Sequence, residues 1–363
     1  MRIAASRAAS SSDGARESGE AMRARRHGVT VMDGSDTASP RRRQEGPAGD
    51  GYGSGARAGR VAMSRQPVTS RHFRSWACVI ALAALTLAGS SPARAEAPCL
   101  PPAAPPQRIE VEGFYDDPKA TTIDAEKWKR RSAAMEPFRV FLQRIVDDAD
   151  RSLRGDAAAA RCARSWLVAW AAARAWVGPL PNAQAEYERK WDLAGYALAW
   201  LKVRDGAAEA ERQVIEPWLA LLARQSLAFF DDRRNHRNNH WYWTGLAVGA
   251  TALGTGDDEL WAAARAIMAD AARDISADGT LPRERARGSR ALHYHGFSVM
   301  PVVILAELGA VRGEDWYALG DGAVHRLAAV TLRGFAEPEL FALLTGAPVA
   351  PKAEPGSGWY QLY

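Results

Sequence analysis

Apolar residues recur at helical spacing through most of the chain beyond residue 120. Trp128, Met135, Phe138, Phe141, Leu142 and Ile145 mark the buried face of a helix that Asp124 can cap and that runs to about residue 150. An alanine-rich stretch over 157–176 carries Trp166, Leu167, Trp170 and Trp176, and the run Gly178-Pro179-Leu180-Pro181 should stop it. Tyr187, Trp191, Leu193, Tyr196, Leu198 and Leu201 define a third helix over 183–203. A fourth covers 207–230, with Pro217 expected to kink or split it. The helical pattern resumes over 243–253 as far as Gly254-Thr255-Gly256, and again from Asp257 or Asp258 to Asp278-Gly279. Two more helices are expected over 297–309 and 321–332, and no run reads as a β-strand. Helices of this length joined by short Gly/Pro loops predict an all-α fold of antiparallel helical hairpins. A ring of such hairpins is an α/α toroid, an incomplete barrel. Periodicity alone does not separate that ring from an irregular bundle.

Ahead of the helices the character of the chain changes twice. Residues 1–62 are rich in Arg, Ser, Gly and Ala with almost no large apolar side chains. They cannot bury enough surface to offset their ordering entropy. They read as a disordered arm or, the preferred alternative, as sequence ahead of a true start at Met63. Residues 63–95 have the anatomy of a secretory signal. Arg71, His72 and Arg74 precede an apolar run over 76–87, Gly89 to Pro92 break it, and Ala93-Arg94-Ala95 is a cleavage site. That run is too short to span a bilayer, and no later run is long and free of charge. A soluble domain over 96–363 is therefore expected, exported to the periplasm or secreted. Pro98 to Pro106 should run extended over its surface.

Charge and cysteine usage follow this division. The full chain carries a formal +5, but residues 96–363 hold 32 Lys and Arg against 35 Asp and Glu. A domain that near neutrality does not read as a nucleic-acid binder. Of the three cysteines, Cys78 would leave with the signal. Cys99 and Cys162 remain as an even pair in an oxidising compartment, which points to a disulfide tying the N-terminal arm to a helix. Two buried thiols are the alternative.

Two stretches carry the candidate chemistry. One is His236-Arg237-Asn238-Asn239-His240-Trp241-Tyr242-Trp243; the other runs from Arg283 to His295. Four of the five histidines beyond residue 95 lie in them: His236, His240, His293 and His295. Aromatic faces stack on sugar rings, and Arg and Asn present aimed donors to carboxylates. Elimination on a polyuronate needs that combination. The proton at C5 is α to a carboxylate and only weakly acidic until donors neutralise the carboxylate. A base must then take the proton and an acid must protonate the departing oxygen at C4. A tyrosine beside arginines suits both tasks, because a nearby cation lowers a phenol pKa. Glycoside hydrolysis needs a facing carboxylate pair, whereas Glu284 is the one carboxylate in the two stretches. A metal set from His236, His240, His293 and His295 is disfavoured by the arginines around it, and no cofactor is expected. Trp241 and Trp243 have core packing as their plainer role, and Arg283 and Arg285 a solvated face. Glu112 to Pro118 reads as a lid loop or an ordinary turn.

Asn238-Asn239-His240-Trp241-Tyr242-Trp243, followed by Arg287-Gly288-Ser289-Arg290-Ala291-Leu292-His293-Tyr294-His295, resembles the polysaccharide lyase family of periplasmic alginate lyases. The likeness extends from about Cys99 onward. It implies a helical toroid that splits poly(β-D-mannuronate). It assigns the carboxylate-neutralising amide to Asn239, the catalytic histidine to His240, the arginine to Arg287 and the base and acid of a syn elimination to Tyr294. Asn238, Trp191 and His293 fall on substrate-contacting positions and Tyr115 on the tyrosine of a lid. Cys99 and Cys162 resemble the family's disulfide pair. The region after Arg333 is compressed relative to the family. The implied partner is an acidic polysaccharide, with exopolysaccharide secretion machinery as a further candidate, and the protein is expected to be a monomer free of membrane once the signal is cleaved. The alternatives are a lyase for another polyuronate such as glucuronan, and a periplasmic polyuronate-binding protein without catalysis.

Overall fold

The computed structural model describes residues 99–118, 120, 122–231, 237–350 and 359–363. The leader, the signal segment, Cys78 and His236 lie outside the described residues. Nine helices of a turn or more carry the described fold up to residue 336. They are α1 (Ala125–Ser152), α2 (Ala157–Ala172), α3 (Ala183–Val203), α4 (Glu209–Asp231), α5 (Asn239–Thr255), α6 (Asp258–Asp274), the short α7 (Pro282–Arg285), α8 (Ala291–Val311) and α9 (Leu319–Ala336). Two short ones follow, α10 (Pro338–Thr345) and α11 (Trp359–Leu362). The closest approach to a sheet among the described residues is one antiparallel bridge, Tyr115 to Ile123.

The helices pair in sequence: α1 with α2, α3 with α4, α5 with α6, and α8 with α9. The first member of each pair also packs on the first of the next, giving α1–α3–α5–α8. The second members follow one another as α2–α4–α6–α9. Two concentric layers of hairpins result, which is the expected α/α toroid. No comparable packing joins α1 back to α8 or α9 among the described residues, so the ring is open. Helix α5 sits in the inner layer with helices on several sides, and its sequence is accordingly apolar almost all round. Gly245 and Gly249 permit this. A Cβ on Gly245 would meet Ile267 Cγ2 at 2.7 Å, and one on Gly249 would meet Leu305 Cδ1 at 2.6 Å. Helix α8 is the other deeply buried inner element. Among the described residues, 288–311 are by length and composition apolar enough to cross a membrane, although Arg290 and Glu307 interrupt the run, and 67% of its apolar 18-residue segment is buried inside the protein.

Local chemistry explains where elements begin and where the pattern misleads. Asp124 caps α1 by accepting from the backbone N–H of Glu126 and Lys127. Asn182 and Asp257 cap α3 and α6 in the same way. Helix α2 ends at Ala172, short of 176, because Arg174 and Trp176 turn the chain in left-handed conformations (φ 55° and 63°). Trp176 is consequently buried beside α3, donating to Asp192 at 2.9 Å. Pro217 does not split α4. It lies on the exposed side, so the carbonyl it leaves bare can face water while Ile215, Trp218 and Leu219 hold the other side in the core. Helix α5 starts four residues earlier than predicted and α8 six earlier, so both motifs enter first turns. Helix α6 stops at Asp274, short of 278. The regular part of α9 follows Gly320, Asp321 and Gly322, all left-handed.

The proline-rich arm runs without regular structure over α2. Trp166 and Trp170 donate their indole N–H groups to the carbonyls of Leu100 (2.7 Å) and Ala103 (2.9 Å). The Cys99–Cys162 disulfide pins its start, with Cα atoms 5.4 Å apart.

Candidate active site

A cavity of about 760 Å³ opens at one end of the inner layer. Its walls include Tyr115, Trp191, Asn238, Asn239, His240, Arg287, His293 and Tyr294, so all eight residues proposed from the sequence meet there. Gln184 and Tyr187 of α3, Trp128 and Arg131 of α1, Arg290 and Phe297 complete much of the lining. Trp128 was expected in the core; it is instead 42% exposed at this wall, edge-on to Phe114.

The first turn of α5 forms the base of the site. Asn238 caps the helix, its Oδ1 accepting from His240 N–H at 3.0 Å. Glu284, only 1% exposed, takes the next donor. Its Oε1 accepts both the backbone N–H and the side-chain Nδ2 of Asn239, at 2.9 and 2.8 Å. A carboxylate can only accept, so this contact dictates which way the Asn239 amide faces. Glu284 Oε2 lies 3.5 Å from Arg287 Nε. One buried carboxylate therefore ties the first motif to the second. It went unassigned in the sequence, where it reads as one charge among arginines.

His240 is held on two sides. Its ring stacks on Tyr187 with centroids 4.0 Å apart, and Lys190 Nζ lies 3.1 Å from its Nδ1. Lys190 is fully buried on the same face of α3 as Tyr187 and Trp191, and burial drives its pKa well below the ordinary lysine value. No sequence signal singles it out, because it sits in the charged run 186–192 that looks like a solvated face.

The second wall comes from the start of α8 and the turn before it. Tyr294 donates its hydroxyl to Tyr115 at 2.9 Å. The Arg287 guanidinium stands 4.7 Å from the Tyr294 ring centroid, and that of Arg290 5.5 Å away, against the Tyr115 ring as well at 5.4 Å. The expected lowering of the phenol pKa by these cations does not win. Burial, then Tyr115, push it upward, and the two arginines only oppose them. His293 is held neutral at physiological pH, its pKa lowered to about 4 by burial and by Arg290.

Tyr115 rides on a loop closed by its bridge to Ile123 and by Asp124 N–H donating to the Phe114 carbonyl at 3.0 Å. The loop covers one side of the cavity through Gly113, Phe114, Asp117, Pro118 and Ala120.

Other candidates turn away. His295 is completely buried; its Nε2 accepts from Leu281 N–H at 2.9 Å, and its Nδ1 bonds the Ala291 carbonyl at 2.8 Å. Both nitrogens are committed to the core, so His295 cannot join His240 and His293 around a common ligand. Trp241 is buried with its N–H on Asp270, and half-buried Trp243 donates to the Phe297 carbonyl. Arg285 pairs with Asp278 at the surface, as a solvated residue does.

Comparison with known proteins gives a consistent picture. The sequence profile of the alginate lyase family matches residues 114–341. A polysaccharide lyase of Stenotrophomonas maltophilia is 42% identical over 282 residues, covering 77% of this chain and 84% of the relative. An alginate lyase of Cobetia marina is 31% identical over 187 residues, which is 50% of this chain and 50% of that protein. Among solved structures, alginate lyase A1-III from Sphingomonas species A1 superposes with a TM-score of 0.62 at 23% identity, covering 72% of this chain and 75% of that one. A variant of that enzyme complexed with a tetrasaccharide gives 0.65 at the same identity and coverage.

Proposed function

Since the chain belongs to the alginate lyase family of polysaccharide lyases, we propose that it cleaves poly(β-D-mannuronate) by β-elimination, with Asn239, His240, Arg287 and Tyr294 as its catalytic residues. The observation that carries this reading is their convergence on one cavity, with a tyrosine phenol facing an amide and an imidazole across it. A uronate carboxylate placed between them meets protein donors from Asn239, His240 and Arg287. Those donors stabilise the enolate-like charge that develops when the C5 proton leaves. Tyr294, as phenolate, takes that proton. The electron pair forms the C4–C5 double bond and the C4–O4 bond breaks. The phenol so formed returns its proton to O4, which restores the phenolate and explains how one residue serves both steps on one face of the sugar. Trp191 offers an aromatic face for a neighbouring ring. Tyr115 supplies the covering side, and the substrate replaces its contact with Tyr294. Export to the periplasm fits the signal anatomy of residues 63–95 and a disulfide that needs an oxidising compartment.

The test is the absorbance of unsaturated uronate ends on mixing the protein with polymannuronate, polyguluronate and glucuronan. Polymannuronate should react fastest. Tyr294→Phe should lose turnover by at least about 10³-fold while still binding oligomannuronate. Faster cleavage of another polyuronate would overturn the substrate, and full activity in Tyr294→Phe would overturn the base.

A further inference from the structure

Lys190 is a buried ionisable group beside the site for which the chemistry above has no use. It is fully buried, and lysines are rarely so unless paired. Its hydrogen-bond partners are not carboxylates but the Tyr187 carbonyl at 3.3 Å and His240 Nδ1 at 3.1 Å. Three rings surround it, with Trp191 at 3.9 Å and Tyr187 and Phe230 at 5.0 Å from Nζ to centroid. Glu188 and Glu186 act on it through space and only oppose the larger effect of burial. Desolvating an ammonium with no carboxylate hydrogen-bonded to it is costly, and an apolar side chain of the same length would fit the aromatic nest more cheaply. The placement points to work done on the imidazole.

We propose that Lys190 is a positioning residue that fixes His240 as the tautomer protonated on Nε2, so that the imidazole presents an N–H rather than a lone pair to the uronate carboxylate. As an ammonium the lysine has only donors, one for the Tyr187 carbonyl and one for Nδ1. As an amine it keeps two N–H groups for the same two acceptors, and the opposite arrangement, an amine lone pair taking Nδ1–H, is what the experiment below excludes. An imidazole nitrogen that accepts a hydrogen bond carries no proton, which places the proton on the opposite nitrogen. Stacking on Tyr187 fixes the ring plane, and the lysine fixes its polarity. The amide partner is set by the same device with opposite charge, since Glu284 orients Asn239. Glu284 takes one N–H of the Asn239 amide and leaves the second for substrate, while Lys190 takes Nδ1 of His240 and leaves Nε2–H, so each donor is set by a buried ionisable side chain. The proposal rests on the lyase reading, because only an anionic substrate requires a donor there.

The experiment is a long-range proton–nitrogen correlation spectrum of the full chain labelled with ¹⁵N-histidine, with His240 assigned by its absence in His240→Gln. The wild-type spectrum should show His240 with an unprotonated Nδ1 and a protonated Nε2. Lys190→Met keeps the length and apolar contacts and should fold. It should retain affinity for oligomannuronate within a few-fold, lose about 10²-fold in kcat as for a misaimed donor, and show mixed tautomers at His240. A wild-type His240 protonated on Nδ1 overturns the proposal, and so does a folded Lys190→Met with wild-type kcat. Should the variant not fold, the wild-type tautomer decides alone. Absence of unsaturated products from any polyuronate sinks the lyase reading and leaves the tautomer measurement standing, so the two failures are distinguishable.

Discussion

The first turns of α5 and α8 face each other across the cavity and are built on different principles. At α5, Asn239 and His240 are anchored from behind by hydrogen bonds to buried ionisable groups, Glu284 and Lys190. At α8, Tyr294 has the guanidinium groups of Arg287 and Arg290 over its ring, and its hydroxyl is occupied by Tyr115. The α5 side behaves as a finished receptor, whose donors need no reorganisation when an anion arrives. The α8 side holds its reactive atom in a form suited to the empty site, a neutral phenol that substrate must uncover. Under the proposed mechanism, carboxylate recognition and proton transfer are divided between a rigid wall and an adjustable one.

Removing a finished donor should show the largest difference between the walls. Asn239→Leu keeps a side chain of similar size while deleting the amide. It should lower kcat by about 10²–10³-fold, the usual cost of a preorganised oxyanion donor, with little change in KM. Steady-state kinetics on polymannuronate decide this. A variant with raised KM and intact kcat would mean that Asn239 binds ground state and transition state alike, and the receptor picture of α5 would fail.

The next effect belongs to the link between the walls. Glu284→Gln leaves an oxygen that can still accept from Asn239 but removes the charge opposite Arg287. Hydrogen bonds to charged groups contribute about 1.5–3 kcal/mol, so kcat/KM should fall by about 10–100-fold. If activity survives unchanged, the carboxylate is a packing feature of α7 and not the strut between the motifs.

How much of this could be read in the chain depends on the range of the interaction involved. The all-α architecture was legible because each helix repeats its apolar residues over many turns, and Asp124 and Asn182 fix starts with local hydrogen bonds. The end of α2 was not, since Arg174 and Trp176 adopt left-handed backbone without the glycine that usually signals it. Six of the eight cavity residues stood out as unusual neighbours in two short stretches, whereas Tyr115 and Trp191 were marked only by the family resemblance. Lys190, Glu284 and Arg290 did not, because a charged residue looks the same in a chain whether it will face water or an imidazole. The direction of the Tyr294 shift was misjudged for a related reason. Nearby arginines are visible in the sequence, whereas the burial that outweighs them is a property of the assembled toroid.

The smallest effect tests the adjustable wall. In the empty site the phenol pKa is raised by burial and by Tyr115, with Arg287 and Arg290 opposing. A base with a raised pKa is mostly protonated at neutral pH, and its reactive fraction grows as pH rises. Wild-type kcat/KM should therefore climb toward alkaline pH. Arg290→Met removes one opposing cation, which raises the phenol pKa further and moves that limb to higher pH. Arg290 is the weakest of the named influences, so the displacement should be under about one pH unit, a loss of up to about tenfold at fixed pH. His293 does not confuse the measurement, since with a pKa of about 4 it stays neutral throughout the range. A limb at the same pH in both proteins would show that Arg290 touches the ring without reaching the oxygen. The α8 wall would then tune its proton through substrate and Tyr115 alone.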